Sequence, residues 1–225
     1  MAPQPVRVAA AANLSGALEE VQKAWSATCT NGCALTITYG ASGSLAAQIE
    51  NGAPFDLFLA ADTEYPQKVA VKGFAESAPF VYARGKLALW VPADSKLPID
   101  KEGVAALRDP SVQRIAIGNP ALAPYGRLAV EALKAAGQDD PKRLVLGESV
   151  GQAAQQAQSG NVQAALLPLS LAMQMPGRYV DAHGTVDQGG VLLKSARDKT
   201  LSRSFMEFLL GKKAREIFAR RGYAP

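Results

Sequence analysis

Val6-Arg7-Val8-Ala9-Ala10-Ala11-Ala12-Asn13-Leu14-Ser15-Gly16 changes its period partway along. Residues 6–11 are a short, nearly continuous apolar run of strand length. From Leu14 the apolar residues Leu14, Leu18, Val21 and Trp25 recur at helical spacing. The pattern repeats at once: 35–39 (Leu-Thr-Ile-Thr-Tyr) is a strand, and Leu45 and Ile49 mark the helix after it. A third strand is expected at 55–60, with Asp62 as the N-cap of a helix carrying Tyr65 and Val69. This alternation predicts an α/β fold with a mostly parallel sheet covered by helices.

The alternation continues to the end of the chain. A new strand is expected at 87–91, and Pro79, Gly85 and Pro92 around it mark a crossing into a second lobe. Strands at 114–118, 143–147 and 164–167 alternate with helices at 127–136 and 150–158, the latter ended by Gly160-Asn161. A late strand at 189–195 precedes two helices, 201–210 and 214–220, separated by Gly211. There is no internal repeat and no low-complexity segment.

A chain of 225 residues, 48% hydrophobic and 20% charged, is long enough for one large domain or two small α/β lobes. The formal net charge is +4, and much of the basic excess lies in Lys212, Lys213, Arg215, Arg220 and Arg221. These read as a solvated helix face, and no interleaved aromatic platform accompanies them to suggest nucleic acid. No apolar run approaches the roughly 20 residues that span a bilayer. The start, Met-Ala-Pro-Gln-Pro, has neither a basic n-region nor an apolar h-region, so either the protein is cytosolic or an export signal has been removed. Cys29 and Cys33 favour export. They bracket Thr30-Asn31-Gly32, a turn sequence that brings the sulfurs within bonding reach, and a zinc site would need two more ligands. A disulfide closing so short a loop stabilises by about 2 kcal/mol and implies an oxidising compartment.

The turns between strands and helices carry the chemistry. Ala9–Gly16 and Tyr39–Ser44 offer small residues, hydroxyls and an amide, with no Lys or Arg. A helix N-terminus has unpaired N–H groups and partial positive charge, and small side chains let an anion reach them. Two further turns, 118–126 and 147–151, are of the same kind, with Glu148 as the one carboxylate. In open α/β sheets ligands bind beyond the carboxyl ends of the strands. Fixed donors without a cation suit a small, fully ionised oxyanion, whose oxygens only accept; each such bond contributes about 1.5–3 kcal/mol. Ser15, Ser42, Ser44 and Tyr125 supply hydroxyls and Asn13 an amide.

Catalysis is poorly served. His183 is the only histidine, expected on a loop between Ala182 and Gly184, with no patterned Ser or Cys partner. Asp56 and Asp62 flank one strand and could pair as acid and base, but turn and capping roles account for them with less. There is no phosphate-binding Gly-x4-Gly-Lys loop and no Gly-x-Gly-x-x-Gly fingerprint.

At this point the residues resemble a known family, the periplasmic molybdate-binding proteins of ABC transporters. The resemblance runs from Val6 to Tyr223. Its anchors are Ala10-Ala11-Ala12-Asn13-Leu14, the stretch from Ala41 to Phe58, Ala60-Ala61-Asp62, Gly118-Asn119-Pro120 with Pro124-Tyr125-Gly126, Glu148-Ser149-Val150, Ile217-Phe218 and Gly222-Tyr223. It implies two lobes, each a mostly parallel sheet covered by helices, joined by two crossover segments with a ligand cleft between. Lobe I is drawn as 1–83 with 177–225 and lobe II as 84–176. It also implies a periplasmic solute-binding protein, not an enzyme and without a cofactor; the oligomeric state is unread, with monomer as the default. Such a protein captures molybdate or tungstate as an oxyanion, with no direct metal ligation, and delivers it to an ABC permease. Matching the family's positions puts Asn13, Ser42, Tyr125 and Val150 in the cage, Val150 through its backbone N–H. Asn13 stands where many members have Ser, and Tyr125 where members have Ala or Tyr. Several members place a Tyr donor where this chain has Pro168, so Tyr125 is expected to supply that hydroxyl from the other side. The residues leave two alternatives: another oxyanion such as sulfate, phosphate or chromate, or an enzyme or effector-sensing domain on the same fold. Met1–Pro5 leaves no room for a DNA-reading helix pair.

Overall fold

In the computed structural model, which describes residues 4–29 and 33–224, the opening run forms strand β1 (Val6–Ala11). A single 3-10 turn, Ala12–Leu14, leads into α1 (Ser15–Ser26). β2 (Leu35–Gly40) lies parallel on one side of β1, with Val6 opposite Leu35 and Ala11 opposite Gly40. α2 (Ser42–Glu50) follows, and β3 (Leu57–Leu59) lies parallel on the other side of β1. β1 is therefore an interior strand. Its run of alanines follows from that position: small side chains let helices approach both faces closely, and Ala9, Ala10 and Ala11 are buried. On one face α2 lays Leu45, Ala46 and Ile49 onto Ala9 and Phe58.

α3 (Glu64–Val71) begins two residues after Asp62. The position before it is Thr63, but the Asp62 carboxylate still accepts the Tyr65 N–H at 3.1 Å, so Asp62 has the capping role at one residue's remove. β4 (Phe80–Val91), α4 (Ile99–Glu102), β5 (Ile115–Gly118), α5 (Pro124–Ala135), β6 (Leu144–Gly147), α6 (Val150–Gln158), β7 (Ala164–Pro168) and α7 (Leu169–Ala172) come next. The chain ends with β8 (Arg178–Leu192), α8 (Lys199–Leu210), α9 (Lys212–Arg220) and the short β9 (Tyr223–Ala224).

Two units emerge, Met1–Arg84 with Asp187–Pro225, and Gly85–Val186. In the first, β2, β1 and β3 run parallel, β8 joins β3 antiparallel with Leu57 opposite Leu192, and β9 pairs with β4. In the second, β5 lies between β6 and β7, parallel to both, and β7 pairs antiparallel with β4, Leu87 opposite Pro168. The chain leaves the first unit inside β4 and returns inside β8, at 186/187 where the sequence reading drew 176/177. β8 explains the difference. It is one continuous strand of 15 residues, of which only the apolar end is legible as a strand. Its first half alternates buried with exposed and carries charges, so it reads as a loop. His183 belongs to this strand, not to a loop; it has φ 57°, and its N–H donates to the Asp181 carboxylate at 2.6 Å.

Cys29 and Cys33 are joined by a disulfide, with Cα atoms 5.8 Å apart. The turn expected at Thr30-Asn31-Gly32 lies outside the described residues. The basic C-terminal residues are surface groups: Lys212, Lys213 and Arg215 are exposed, and Arg220 and Arg221 pair with Glu20 at 2.5 and 2.9 Å.

Asp56 is a structural group in this fold. Its buried carboxylate accepts the Arg7 backbone N–H at 2.7 Å, the Arg7 guanidinium at 2.5 and 3.1 Å and the Arg197 N–H at 3.1 Å. Burial alone would raise its pKa, but the hydrogen bonds from Arg7 and Arg197 outweigh burial and hold the carboxyl below its ordinary value. A folded pKa below the unfolded one means that this stabilisation is complete above about pH 4 and is lost as pH falls through the lower folded value. Asp56→Asn is expected to cost about 3 kcal/mol at pH 7, as for breaking a buried pair. Urea denaturation at a series of pH values checks this: the gap between variant and wild type closes as the solution is acidified.

Candidate functional site

In the first unit the pairing of β1 with β2 decides which residues stand side by side. Ala11 and Gly40 are opposite each other at the ends of the two strands. Asn13 and Ser42 each lie two residues further on, so both occur at the carboxyl edge of the parallel strands. Both are buried, Asn13 at 0% exposure and Ser42 at 1%. Ser42 opens α2, and its Oγ accepts the Ala61 N–H at 3.0 Å, which ties the exit of β3 to the same place. Accepting that bond leaves the Ser42 hydroxyl proton directed elsewhere and makes it a better donor. The exits of β2 and β3 are therefore tied together on either side of the end of β1.

The Asn13 amide is directed into a buried polar cluster. Its Nδ2 donates to Gln188 Oε1 and to the Tyr223 hydroxyl, both at 3.0 Å, and Tyr223 donates back to the Asn13 carbonyl at 2.8 Å. Near the rim the Tyr39 hydroxyl donates to the Ser15 carbonyl at 3.3 Å. Burial, and then the charge of Glu19, push the Tyr39 pKa up to about 12, so it stays protonated.

The second unit repeats the plan around Gly118. β5 and β6 end together, Gly118 opposite Gly147, and the Asn119 N–H donates to the Gly147 carbonyl at 2.7 Å. A Cβ on Gly118 would lie 3.0 Å from Val150 Cγ1 and 3.4 Å from Val150 N. A Cβ on Gly126 would lie 2.2 Å from the Gly118 carbonyl oxygen. The first turns of α5 and α6 thus both rest on the end of β5, Val150 directly and Tyr125 as the neighbour of Gly126. α5 starts with Pro124 at its first position, where a missing N–H costs nothing, and buried Tyr125 is second. α6 is capped by Ser149, whose hydroxyl accepts the Gln152 N–H at 3.3 Å, and Val150 is its first residue. Positions this early in a helix have N–H groups without intrahelical acceptors.

Glu148 is exposed, and its backbone N–H is held by Gln152 Oε1 at 2.5 Å. Pro168 is buried and ends β7 ahead of α7. Asp56 faces Arg7 and Asp62 caps α3, the turn and capping roles that the sequence allows them. Sequence reasoning missed Gln188, Tyr82 and the Ala61 N–H. Gln188 lies on β8 beside two glycines and has no period to single it out. Tyr223 was legible only as an anchor of the resemblance.

A mostly parallel sheet with uncharged seats at its strand ends, interrupted by a second unit of the same plan, is the design of a solute-binding protein. The chain belongs to the family of bacterial extracellular solute-binding proteins, whose family model matches residues 6–224. It is similar to the molybdate-binding protein ModA of Azotobacter vinelandii, with 31% identity over 97% of this chain and 89% of that protein. The molybdate-binding protein ModA of Rhodobacter capsulatus is 31% identical over 97% of this chain and 87% of its own length. The solved structure of the Azotobacter vinelandii periplasmic molybdate-binding protein superposes with a TM-score of 0.88 at 31% identity, covering 98% of this chain and 99% of that one.

The contact at Gly126 allows a direct check of the second seat. Gly126→Ala is expected to lower stability by about 1–3 kcal/mol, because the added methyl meets backbone that cannot turn aside. Chemical denaturation measures the loss, and Gly137→Ala, where nothing lies within 4 Å but φ is +64°, separates steric clash from backbone strain.

Proposed function

We propose that this chain is the periplasmic, molybdate-binding component of an ABC transporter, which captures the anion and delivers it to a membrane permease. The observation that carries the reading is the likeness, over nearly the whole chain, to molybdate-binding proteins of 31% identity. The local chemistry supports it. Molybdate is a tetrahedral dianion at neutral pH, with oxygens that only accept, and the seats are built from N–H and O–H donors.

Asn13 and Ser42 from the first unit and Tyr125 and Val150 from the second hold the oxyanion in this reading. No residue ligates molybdenum directly. Val150 acts through its backbone N–H, so its side chain matters little to the anion. Tyr125 supplies the hydroxyl that Pro168 does not have. An exposed Glu148 is compatible with a cage free of carboxylates, which a fully ionised guest requires. Tungstate has nearly the same size and charge as molybdate and binds in the same cage, whereas sulfate is smaller and leaves gaps. The protein works as a monomer, without a cofactor, nucleic acid or catalytic turnover.

Melting curves with sodium molybdate, tungstate, sulfate and phosphate test this reading. Molybdate at about 1,000 times its Kd adds about 4 kcal/mol of stability, with tungstate close behind. A larger shift from sulfate or phosphate than from molybdate reassigns the ligand. Ser42→Ala is expected to weaken molybdate binding by about 1.5–3 kcal/mol through the loss of one charge-assisted bond. Tyr125→Phe, measured by calorimetry, weakens it comparably, and unchanged affinity in that variant removes the Tyr125 hydroxyl from the cage.

A further inference from the structure

The donors of the Asn13 side chain are already in use. A side-chain amide has two N–H groups. Those of Asn13 go to Gln188 Oε1 and to the Tyr223 hydroxyl, each at 3.0 Å. The Tyr223 hydroxyl has one proton and gives it to the Asn13 carbonyl at 2.8 Å, so towards the amide it can only accept. That settles which end of the amide faces it, because the opposite orientation would set two acceptors against each other. The Tyr82 hydroxyl, with one proton, lies 2.8 Å from the Ala60 carbonyl and 3.1 Å from Gln188 Oε1, and so joins the same cluster. Asn13 and Gln188 are fully buried, and Tyr82 and Tyr223 nearly so. Four side chains distant in sequence thus form one closed cluster behind the 12–14 turn.

A 3-10 turn of three residues has weaker internal hydrogen bonding than an α-helix and is not rigid unaided. Donors aimed at an anion are effective in proportion to how firmly they are held beforehand. We propose that Gln188 and Tyr223 are positioning residues for the anion seat. They clamp the Asn13 amide from behind, so that Asn13 braces the turn and offers the anion its backbone N–H rather than its side chain. This inference rests on the molybdate reading and deepens it.

Calorimetric titration with sodium molybdate of wild type, Asn13→Ala, Tyr223→Phe, Gln188→Leu and the Asn13→Ala/Tyr223→Phe double variant provides the test. Tyr223→Phe keeps the ring against Phe218, whose centroid is 5.1 Å away. The expected result is that Tyr223→Phe and Gln188→Leu each weaken Kd by about tenfold, a misplaced hydrogen bond's worth. Asn13→Ala should weaken it by a similar factor, with Tyr223→Phe adding nothing in that background. A merely structural role would lower the melting temperature and leave the Kd of the folded protein unchanged. A Kd change of less than about threefold in Tyr223→Phe, or effects that multiply in the double variant, overturns the brace. Hydrogen exchange of the Asn13 and Leu14 amides in the ligand-free protein gives a reading independent of any anion. Faster exchange in Tyr223→Phe supports the clamp and unchanged exchange refutes it. Failure of the wild-type chain to bind molybdate would count against the functional reading alone.

Discussion

The register between parallel strands governs the arrangement of the donors. In the first unit Ala11 stands opposite Gly40, and everything that follows those residues begins at the same level. Two residues beyond each lie Asn13 and Ser42. A slip of one residue would reverse which side chains face the helices, because strand side chains alternate faces. The register is fixed by burial, since β1 has neighbours on both sides and helices to cover it. In the second unit Gly118 opposite Gly147 has the same role, and the absence of side chains at Gly118 and Gly126 lets the starts of α6 and α5 lie close to the end of β5.

Several of the charged groups near these strands are engaged with one another. Arg7 is the basic residue of β1, and it lies near the start of the strand, neutralised by Asp56. Arg220 and Arg221 are occupied by Glu20 at the surface. At the carboxyl edge the helix starts and the Ser42 hydroxyl add dipoles. An anion attracted by dipoles is held through many directed bonds rather than one strong charge, so the rigidity of each donor matters more than its number. In the first unit the Asn13 amide is bonded to Gln188 and Tyr223, and the Ser42 hydroxyl to the Ala61 N–H.

Much of the fold was legible in the chain. The strand at 6–11 and the helix at 150–158 coincide with those read from period alone, because each is bounded by residues that end one period and start another. Helix α5 begins three residues before its apolar spacing suggests, since Pro124 and Gly126 are small or cyclic and carry no periodic signal. β8 was half hidden because one half is solvated and charged. Asp56 could be placed in a turn from sequence, but its partner Arg7 is 49 residues away, and no local pattern pairs them.

The sequence by itself determined that this is an α/β chain with neutral, hydroxyl-rich turns after its strands, because hydrophobic period and turn chemistry are local properties. It also pointed to the disulfide, since only three residues separate the two cysteines and their Asn-Gly pair favours a turn. Only the tertiary structure decided which way the Asn13 amide faces, since that depends on Gln188 and Tyr223, 175 and 210 residues further along. A hydrogen bond is directional and needs its partner in place; spacing in a chain can nominate a donor, but only the folded arrangement determines what receives it.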